Sequence, residues 1–404
     1  MSRRVVVTGL GILSPVGTGK EKFWGNLVNG RSGVGKISAF DTSAYRVKIG
    51  GMVKDFEPER YLNPKQIHTA GRAAQYAYSG AKMALADSGI SWEALATKRT
   101  AVCLGTTMGE IQVVEGINET VFNNGIESVA PEEYLKARPD RITTFLSSEL
   151  GIGGPQHLFF NACAAGNYAL GYAADLIHRG QADLALAGGV DVFSKVALIG
   201  FNRLLSLTPD WCRPFDRNRK GLVVSEGAGV LVLEDLEMAV ARGAAIYAEI
   251  RGYGLGMDAY HITSPHPEGE GAAVSMSQAL KAAGMAAEEI DYICAHGTGT
   301  PANDKTECRA IHTVFKNVDH LPPVSSIKSM LGHTMGAAGA LGVAACCLML
   351  QQQIILPTMN FETPDPECNV DCVPNEARQQ RLKKVMSNAF AFGGNNSCLV
   401  LEKI

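Results

Sequence analysis

The chain has 404 residues, of which 46% are hydrophobic and 19% charged, and its formal net charge is −3. This composition excludes a disordered protein and is sufficient for a large buried core in two or three structural units. It also leaves no overall positive field to hold a phosphate backbone, so we do not expect nucleic acid as a partner.

The ten cysteines are scattered along the chain, and no Cys-x-x-Cys pair occurs. A disulfide framework and a structural zinc site are therefore both disfavoured, and we expect reduced thiols and no metal. The first residues read as a strand and turn rather than a secretion signal, which predicts a cytoplasmic protein.

Apolar strand-like runs alternate with Ala-rich helical stretches, a pattern typical of α/β proteins. The order of these elements then repeats. A strand with a glycine turn occurs at 4–11 and 248–256, a helix at 73–88 and 272–283, a strand at 100–107 and 292–300, a strand before a helix at 156–160 and 324–328, and a closing strand at 227–234 and 396–402. We predict two similar halves, 1–247 and 248–404, fused with their sheets face to face around shared helices.

Two segments hint at other functions. The triplet Gly252, Gly254 and Gly256 partly matches a dinucleotide-binding loop, but the third glycine of that motif and its acidic residue are missing, so a nicotinamide cofactor is not expected. Residues 335–350 are all apolar or glycine. This run is shorter than the ~20 residues that cross a bilayer, and we predict a buried core helix rather than a membrane span.

Cys163 is the candidate nucleophile. It follows the apolar strand 158–160 and precedes the small-residue helix 164–170. At such a turn the sulfur faces the positive end of the helix dipole, which predicts a lowered thiol pKa and a reactive thiolate. The alternative is a buried thiol without chemistry.

Two histidines of the second half occupy corresponding positions. His296 follows the strand 292–295 and begins a segment rich in glycine and threonine, whereas His333 lies at another turn into a helix. The duplication predicts that both lie beside Cys163 in one pocket. Lys328 precedes His333 by five residues and is a candidate for tuning its orientation and charge. The alternatives are two structural histidines and a surface lysine.

Several motifs, taken in order, resemble one enzyme family. They lie at 5–11, 162–164, 213–216, 226–229, 258–265, 296–307, 328–333 and 390–396. Together they resemble, over essentially the whole chain, the condensing enzymes of the thiolase superfamily, most closely the β-ketoacyl-[acyl-carrier-protein] synthase II type, a group that includes type II polyketide ketosynthases. The resemblance implies a thiolase-like duplicated fold with five layers, α-β-α-β-α.

The resemblance also implies roles for the site residues. Cys163 would take an acyl group from a carrier-protein thioester. His296 and His333, both neutral, would stabilise the enolate formed when malonyl carrier protein loses carbon dioxide. The backbone N–H groups of Cys163 and Phe392 would form the oxyanion hole, and Phe392 would gate the acyl tunnel. The remaining residues implied are Thr298 and Thr300 at the phosphopantetheine arm and Met108 and Tyr134 at the acyl pocket.

No cofactor is implied. The implied partners are acyl carrier protein and a second subunit, either a copy of this chain or a chain-length factor, paired through the strand before Cys163. Basic residues near the tunnel mouth would dock the carrier protein, and the candidates are Lys65, Arg72, Arg203 and Arg213. Membrane association is not expected, and fatty-acid and polyketide pathways are not distinguished.

The chain departs from the family pattern in several places. Ala165 stands where a small hydroxyl residue is common, Tyr168 is unusual, and Glu110 replaces a residue that is generally small. The charged run 132–141 has two explanations, a solvated helical face or contact with a different dimer partner.

Three other functions remain open from the residues alone. A thiolase would need a second catalytic cysteine near the carboxyl end, where Cys398 lies in an apolar strand. A cysteine hydrolase would use Cys163, His296 and Asn388, but it would leave His333 without a role. A non-catalytic subunit that measures chain length would lack the nucleophile.

Overall fold

The computed structural model describes residues 3–404. The strands are β1 Val5–Ser14, β2 Gly17–Thr18, β3 Val34–Lys36, β4 Ile49–Gly51, β5 Thr100–Gly105, β6 Gln156–Phe159, β7 Leu184–Asp191, β8 Gly227–Asp235, β9 Ala248–Met257, β10 Tyr292–Cys294, β11 Val324–Ser325, β12 Ile354–Ile355, β13 Arg378–Gln379, β14 Lys384–Phe390 and β15 Asn395–Glu402. The helices are α1 Lys20–Val28, α2 Pro64–Thr69, α3 Arg72–Ser88, α4 Trp92–Thr97, α5 Ile111–Asn124, α6 Pro131–Ala137, α7 Arg141–Leu150, α8 Ala165–His178, α9 Lys195–Arg203, α10 Leu236–Ala241, α11 Glu270–Ala283, α12 Pro301–Val314, α13 Lys328–Leu331 and α14 Ala338–Gln352. Short 3₁₀ turns at Ala162–Ala164, Met335–Ala337 and Phe392–Gly394 carry site residues.

The predicted repeat is visible in the strand order. The first half contributes β6-β5-β7-β8-β1, and the second contributes β11-β10-β14-β15-β9 in the same arrangement. The sequence predicted two sheets packed face to face. In the structure the two half-sheets are joined instead. They join where β1 and β9 pair antiparallel over three residues, from Val5 opposite Ile250 to Val7 opposite Ala248. Main-chain hydrogen bonding along these two edges makes one continuous sheet of the two halves.

Helices form layers on both sides of each half-sheet. Helices α3 and α7 pack on the outer face of the first half-sheet, and α11 covers β9 and β15 of the second with α12 beside it. Between the halves lie α8 and α14, each of which contacts strands of both half-sheets. The architecture is the five-layered, thiolase-like α/β fold that the resemblance implied.

Glycines in β1 and β9 permit the outer helices to lie directly on the strands. A Cβ added at Gly11 would come within 1.8 Å of the Gly80 carbonyl oxygen in α3, and one at Gly256 within 2.2 Å of the Gly271 oxygen in α11. The triplet that partly matched a dinucleotide-binding loop is therefore part of a strand, and its glycines serve the close packing of a helix.

The apolar run at 335–350 lies in a core helix. Met335–Gln352 is the one stretch of the described residues long and apolar enough to cross a membrane, and 89% of it is buried inside the protein. The prediction of a buried helix is confirmed. All ten cysteines are buried and free, and residues 3–404 contain no cluster of three or more side chains that could hold a metal ion.

Candidate active site

Cys163 lies on a strained turn between β6 and α8. The 3₁₀ turn begins at Ala162, whose φ of 47° lies in the left-handed region that residues with a Cβ rarely adopt. Such a conformation costs about 1–3 kcal/mol and is common where a reactive group is held in place. The turn directs the sulfur to the end of the sheet at which the second half delivers its histidines.

The second half repeats this turn before α14. Its 3₁₀ segment begins at Met335, which also has a positive φ, 51°, and His333 lies two residues earlier. His296 follows the end of β10 in the same way, two residues after Cys294. The duplication therefore places His333 near the turn that corresponds to that of Cys163, and His296 after the end of the neighbouring strand, β10.

Cys163, His296 and His333 open onto one cavity of about 300 Å³. The imidazole rings are nearly perpendicular, at 84°, with their centroids 5.3 Å apart. Phe392 lines the same cavity, as do Thr298 and Thr300. The structure thus brings together the sulfur, both imidazoles, the Phe392 ring and the two hydroxyls that the sequence singled out.

Both histidines are neutral in this environment. Burial holds the pKa of His296 and that of His333 well below the usual range, and the positive charge of Lys328 lowers both further. The Nδ1 atom of each ring is buried without a hydrogen-bond partner among the described residues. A neutral imidazole retains one N–H donor, which is what stabilisation of a developing oxyanion requires.

The thiol pKa is not lowered, contrary to our prediction. Burial raises the pKa of Cys163 to about 12, Asp191 raises it further, and the opposing effect of Lys328 is smaller. The prediction considered the helix dipole but not the loss of water around the sulfur, which penalises the thiolate more strongly. The structure therefore favours a thiol at Cys163, and the proton would have to leave during a nucleophilic attack by the sulfur.

Two buried carboxylates of α12 hold the His296 loop. Glu307 accepts the backbone N–H of His296 at 2.8 Å and of Gly297 at 2.7 Å, together with the Asn388 amide at 3.2 Å. One turn earlier, Asp304 accepts the N–H of Gly299 at 3.1 Å. Sequence reasoning placed these acids in a motif without a role, since only the fold shows that α12 turns back beneath the loop.

Asp191, at the end of β7, has the same function on the cysteine side. Its carboxylate accepts the N–H groups of Thr107 and Met108 at 2.8 and 2.9 Å and that of Gly336 at 2.6 Å. Burial raises its pKa to about 6 despite these donors. Asp191 was missed in the sequence, although an acid that ends an apolar strand was a usable indication. It ties the turn before α14 to the loop after β5.

Phe392 and the two threonines lie towards the mouth of the cavity. The Phe392 ring is half-buried, 5.8 Å from the ring of Phe201, and is followed by Gly393 and Gly394, both with positive φ. The hydroxyls of Thr298 and Thr300 are 2.9 Å apart. The paired hydroxyls present a polar surface opposite the aromatic one.

Lys328 is buried but does not line the main cavity. It lies on a separate cavity of about 10 Å³, together with Cys294, Gly342 and Asn388. The surface-lysine alternative is therefore wrong. Lys328 acts on the histidines through its charge.

Comparison with known proteins identifies the family. Residues 2–239 match the family described as beta-ketoacyl synthase, N-terminal domain, and residues 247–362 match the corresponding C-terminal domain. The chain belongs to the beta-ketoacyl synthase family. It is accordingly a condensing enzyme of the acyltransferase class, as the motifs implied.

Similar proteins match this synthase over its full length. The 3-oxoacyl-[acyl-carrier-protein] synthase 2 of Staphylococcus aureus (strain COL) is 39% identical over 100% of this chain and 99% of its own, and that of Coxiella burnetii is similar to the same degree. Among solved structures, the ishigamide ketosynthase/chain length factor is 43% identical with a TM-score of 0.96. A type II PKS ketosynthase, bound to a hexaketide and in complex with its acyl-carrier protein, is 32% identical with a TM-score of 0.92. Both cover 100% of this chain and of their own.

The remaining pocket and docking candidates are placed differently. Met108 packs with Phe392 in one apolar cluster but does not line the main cavity, and Tyr134 is 41% exposed on α6. Arg203 is exposed at the end of α9, next to cavity residues Leu204 and Leu205.

Two of the basic candidates are already engaged within the synthase. Arg72 donates to the Tyr76 hydroxyl at 2.6 Å and lies 3.6 Å from the buried carboxylate of Glu226, while Arg213 pairs with Glu362 at 2.8 Å. Lys65 is exposed on α2, outside the residues that line the cavity. Of the four, Arg203 is the one at the mouth.

Glu110 explains one departure from the family pattern. Its buried carboxylate accepts the N–H groups of Ala73 and Ala74 at 3.1 and 2.7 Å, so it caps the first turn of α3. Burial raises its pKa to about 7. The charged run that follows forms α6 and its flanks, which are mostly exposed.

Proposed function

We propose that this chain is a 3-oxoacyl-[acyl-carrier-protein] synthase that condenses an acyl group on Cys163 with malonyl carrier protein. The observation that carries this proposal is the meeting of one sulfur and two neutral imidazoles, His296 and His333, in a single buried cavity. A cysteine hydrolase needs one histidine, and a thiolase would use a cysteine near Cys398, which is buried within β15.

In the first half-reaction, Cys163 attacks the carbonyl carbon of the acyl thioester. A new C–S bond forms, the bond to the carrier's sulfur breaks, and the proton of the buried thiol ends on the released carrier thiol. The N–H groups of Cys163 and Phe392 would hold the oxyanion of the tetrahedral intermediate. Each such donor contributes about 2.7–4 kcal/mol in comparable sites.

In the second half-reaction, malonyl carrier protein loses carbon dioxide. The electron pair of the broken C–C bond forms an enolate whose oxygen would accept hydrogen bonds from His296 and His333. The enolate carbon then attacks the acyl carbonyl on Cys163, the C–S bond breaks, and the sulfur leaves with the electron pair and takes up a proton from solvent to restore the thiol. A neutral imidazole keeps one N–H to donate to the enolate oxygen, and this agrees with the low pKa values of both histidines. The chemistry needs no cofactor.

The substrate arm would enter past Phe392 and lie along the hydroxyls of Thr298 and Thr300. Met108, behind Phe392 in the same apolar cluster, is proposed to limit the acyl pocket. Tyr134 lies on the surface of one subunit, so its proposed role requires a second subunit.

We further propose that the chain consists of two halves, 1–247 and 248–404, and that it forms a dimer in the cytoplasm with a second subunit. Acyl carrier protein is the proposed partner of this dimer. Strand β6 is one of the two edge strands of the sheet. The first half also exposes large apolar side chains, among them Phe122, Ile126, Phe160, Val196 and Ile199. The second subunit is a copy of this chain or a chain-length factor, as in the similar ishigamide structure.

The test is mass spectrometry of the protein after incubation with carrier protein that has been loaded with an acyl group as its thioester. Wild type is expected to gain one acyl group, and Cys163→Ala none. Cys103→Ala, which removes another buried cysteine outside the cavity, is the control and should be acylated normally. Substitution of either histidine by alanine should reduce release of carbon dioxide from malonyl carrier protein far more than acylation. Absence of an acyl group on wild type would instead support a non-catalytic chain-length subunit, and equal loss of both half-reactions in the histidine variants would refute the division of roles.

A further inference from the structure

The small cavity beside Lys328 carries chemistry that the proposed reaction does not use. Lys328 lies on it with its side chain buried, and its ammonium forms no ion pair with a carboxylate among residues 3–404. A buried charge without a counter-charge is strongly unfavourable. A negative charge near Lys328 would compensate the positive charge that lowers the pKa of both histidines.

The carboxylate whose charge raises the pKa of Lys328 has other partners. Glu307 accepts two backbone N–H groups of the His296 loop, and Asn388 donates to one of its oxygens. The opposite end of the Asn388 amide, Oδ1, is buried without a hydrogen-bond partner among the described residues, and Asn388 lines the small cavity. An amide oxygen can accept from an ammonium, but it brings no negative charge.

Cys294 is the remaining group in this cavity that can ionise. It ends β10, two residues before His296, and its sulfur lies 3.6 Å from the position that a Cβ on Gly342 would take. The absence of a side chain at Gly342 leaves α14 clear of the sulfur. The side chains of Lys328, Cys294 and Asn388 thus bring an ammonium, a thiol and an amide to one small cavity.

We propose that Cys294 is a positioning residue whose sulfur carries the negative charge that holds the Lys328 ammonium behind His296 and His333. The proton lies on Nζ and the electron pair on Sγ, so the pair as a whole is neutral. This inference rests on the proposed function, in which Lys328 acts through the two imidazoles.

The electrostatic surroundings agree with this assignment. Hydrogen bonding from Cys346 of α14 lowers the pKa of Cys294, and Lys328 and the Tyr292 hydroxyl lower it further, against burial and the charge of Glu307. Burial lowers the pKa of Lys328, and Cys294 is foremost among the groups that oppose this, followed by Glu307, Cys163 and Cys212. Cys294 differs in this from Cys163, whose pKa burial raises.

Two substitutions of similar size separate charge from shape. Cys294→Ser keeps a small polar side chain but cannot supply the charge, whereas Cys294→Asp supplies it. Without the counter-charge, Lys328 loses its proton more readily, and the pKa of each histidine rises. For Cys294→Ser we expect a narrower pH–rate profile for decarboxylation of malonyl carrier protein. The acid limit should rise and the basic limit should fall by about one pH unit each, which lowers the rate about tenfold at the two edges of the profile. Cys294→Asp should restore the wild-type limits.

A second readout does not depend on catalysis. In the Cys163→Ser variant, ultraviolet absorbance at neutral pH should show the band of one ionised cysteine. This thiolate band should disappear when Cys294→Ser is added and should persist when the matched control Cys103→Ser is added instead. An unchanged pH profile in Cys294→Ser, or absence of the thiolate band, would overturn the inference. Failure of the proposed function is distinguishable, because wild type itself would then release no carbon dioxide.

Discussion

Replacing Glu307 by glutamine tests how the fold positions His296. The carboxylate accepts two backbone N–H groups of the His296 loop at 2.7 and 2.8 Å, one on each oxygen. An amide has a single oxygen, so in Glu307→Gln at least one of these N–H groups faces another donor. Hydrogen bonds to charged groups contribute roughly 1.5–3 kcal/mol each, and a buried donor left unsatisfied adds to the loss. We therefore expect a decrease in the free energy of unfolding of about 3 kcal/mol.

The larger effect is expected on one half-reaction. A displacement of about 1 Å in a catalytic group costs on the order of 100-fold in rate. Decarboxylation of malonyl carrier protein by Glu307→Gln should fall about 100-fold, while acylation of Cys163 falls by less than about threefold, because the sulfur is held by the other half. Carbon dioxide release and intact-protein mass spectrometry measure the two rates.

The control for this experiment is Glu288→Gln, which alters an exposed glutamate outside the cavity. It should leave both rates and the unfolding free energy unchanged. A Glu307→Gln variant with normal decarboxylation would show that the loop does not depend on the carboxylate. Equal losses in both half-reactions would mean that the damage is general rather than confined to His296.

Three further predictions concern stability and docking. Because burial raises the pKa of Glu110 to about 7, the folded state binds its proton more tightly than the unfolded state, and stability should fall as pH rises. Between about pH 5 and pH 7 this group should remove about 2 kcal/mol, and urea denaturation of Glu110→Gln should lack that decrease. Gly11→Ala, whose Cβ would meet the Gly80 carbonyl, should lose more than about 3 kcal/mol by thermal or urea unfolding, whereas Gly116→Ala, in open space on α5, should gain up to about 1 kcal/mol. Arg203→Ala should raise KM for the carrier protein without changing kcat and weaken its salt dependence; an unchanged KM would place the docking surface elsewhere.

The local residue pattern of the sequence predicted much of the architecture. Apolar runs and glycines at 4–11 and 248–256 lie in β1 and β9, and the predicted helices at 73–88 and 272–283 are α3 and α11. These elements are readable because a buried strand and an Ala-rich helix differ in residue type along the chain itself. The all-apolar run became α14 for the same reason.

Properties that depend on burial were harder to predict from the sequence. The position of Cys163 before a helix predicted a lowered thiol pKa. The predicted direction was wrong because burial removes water from around the sulfur. The joined half-sheets and the carboxylate of Asp191 likewise depend on residues far apart in sequence. Long-range pairing of this kind leaves no periodicity to read.

The amino-acid order by itself therefore determined the duplication, the elements of each half and the identities of the sulfur and imidazoles, since each is written in contiguous residues. Tertiary structure alone decided the directions of the pKa shifts, the carboxylates that hold the loops, and the small cavity that Lys328 shares with Cys294. Those properties arise from the exclusion of water and from charges brought together by packing, which no single segment of the chain contains.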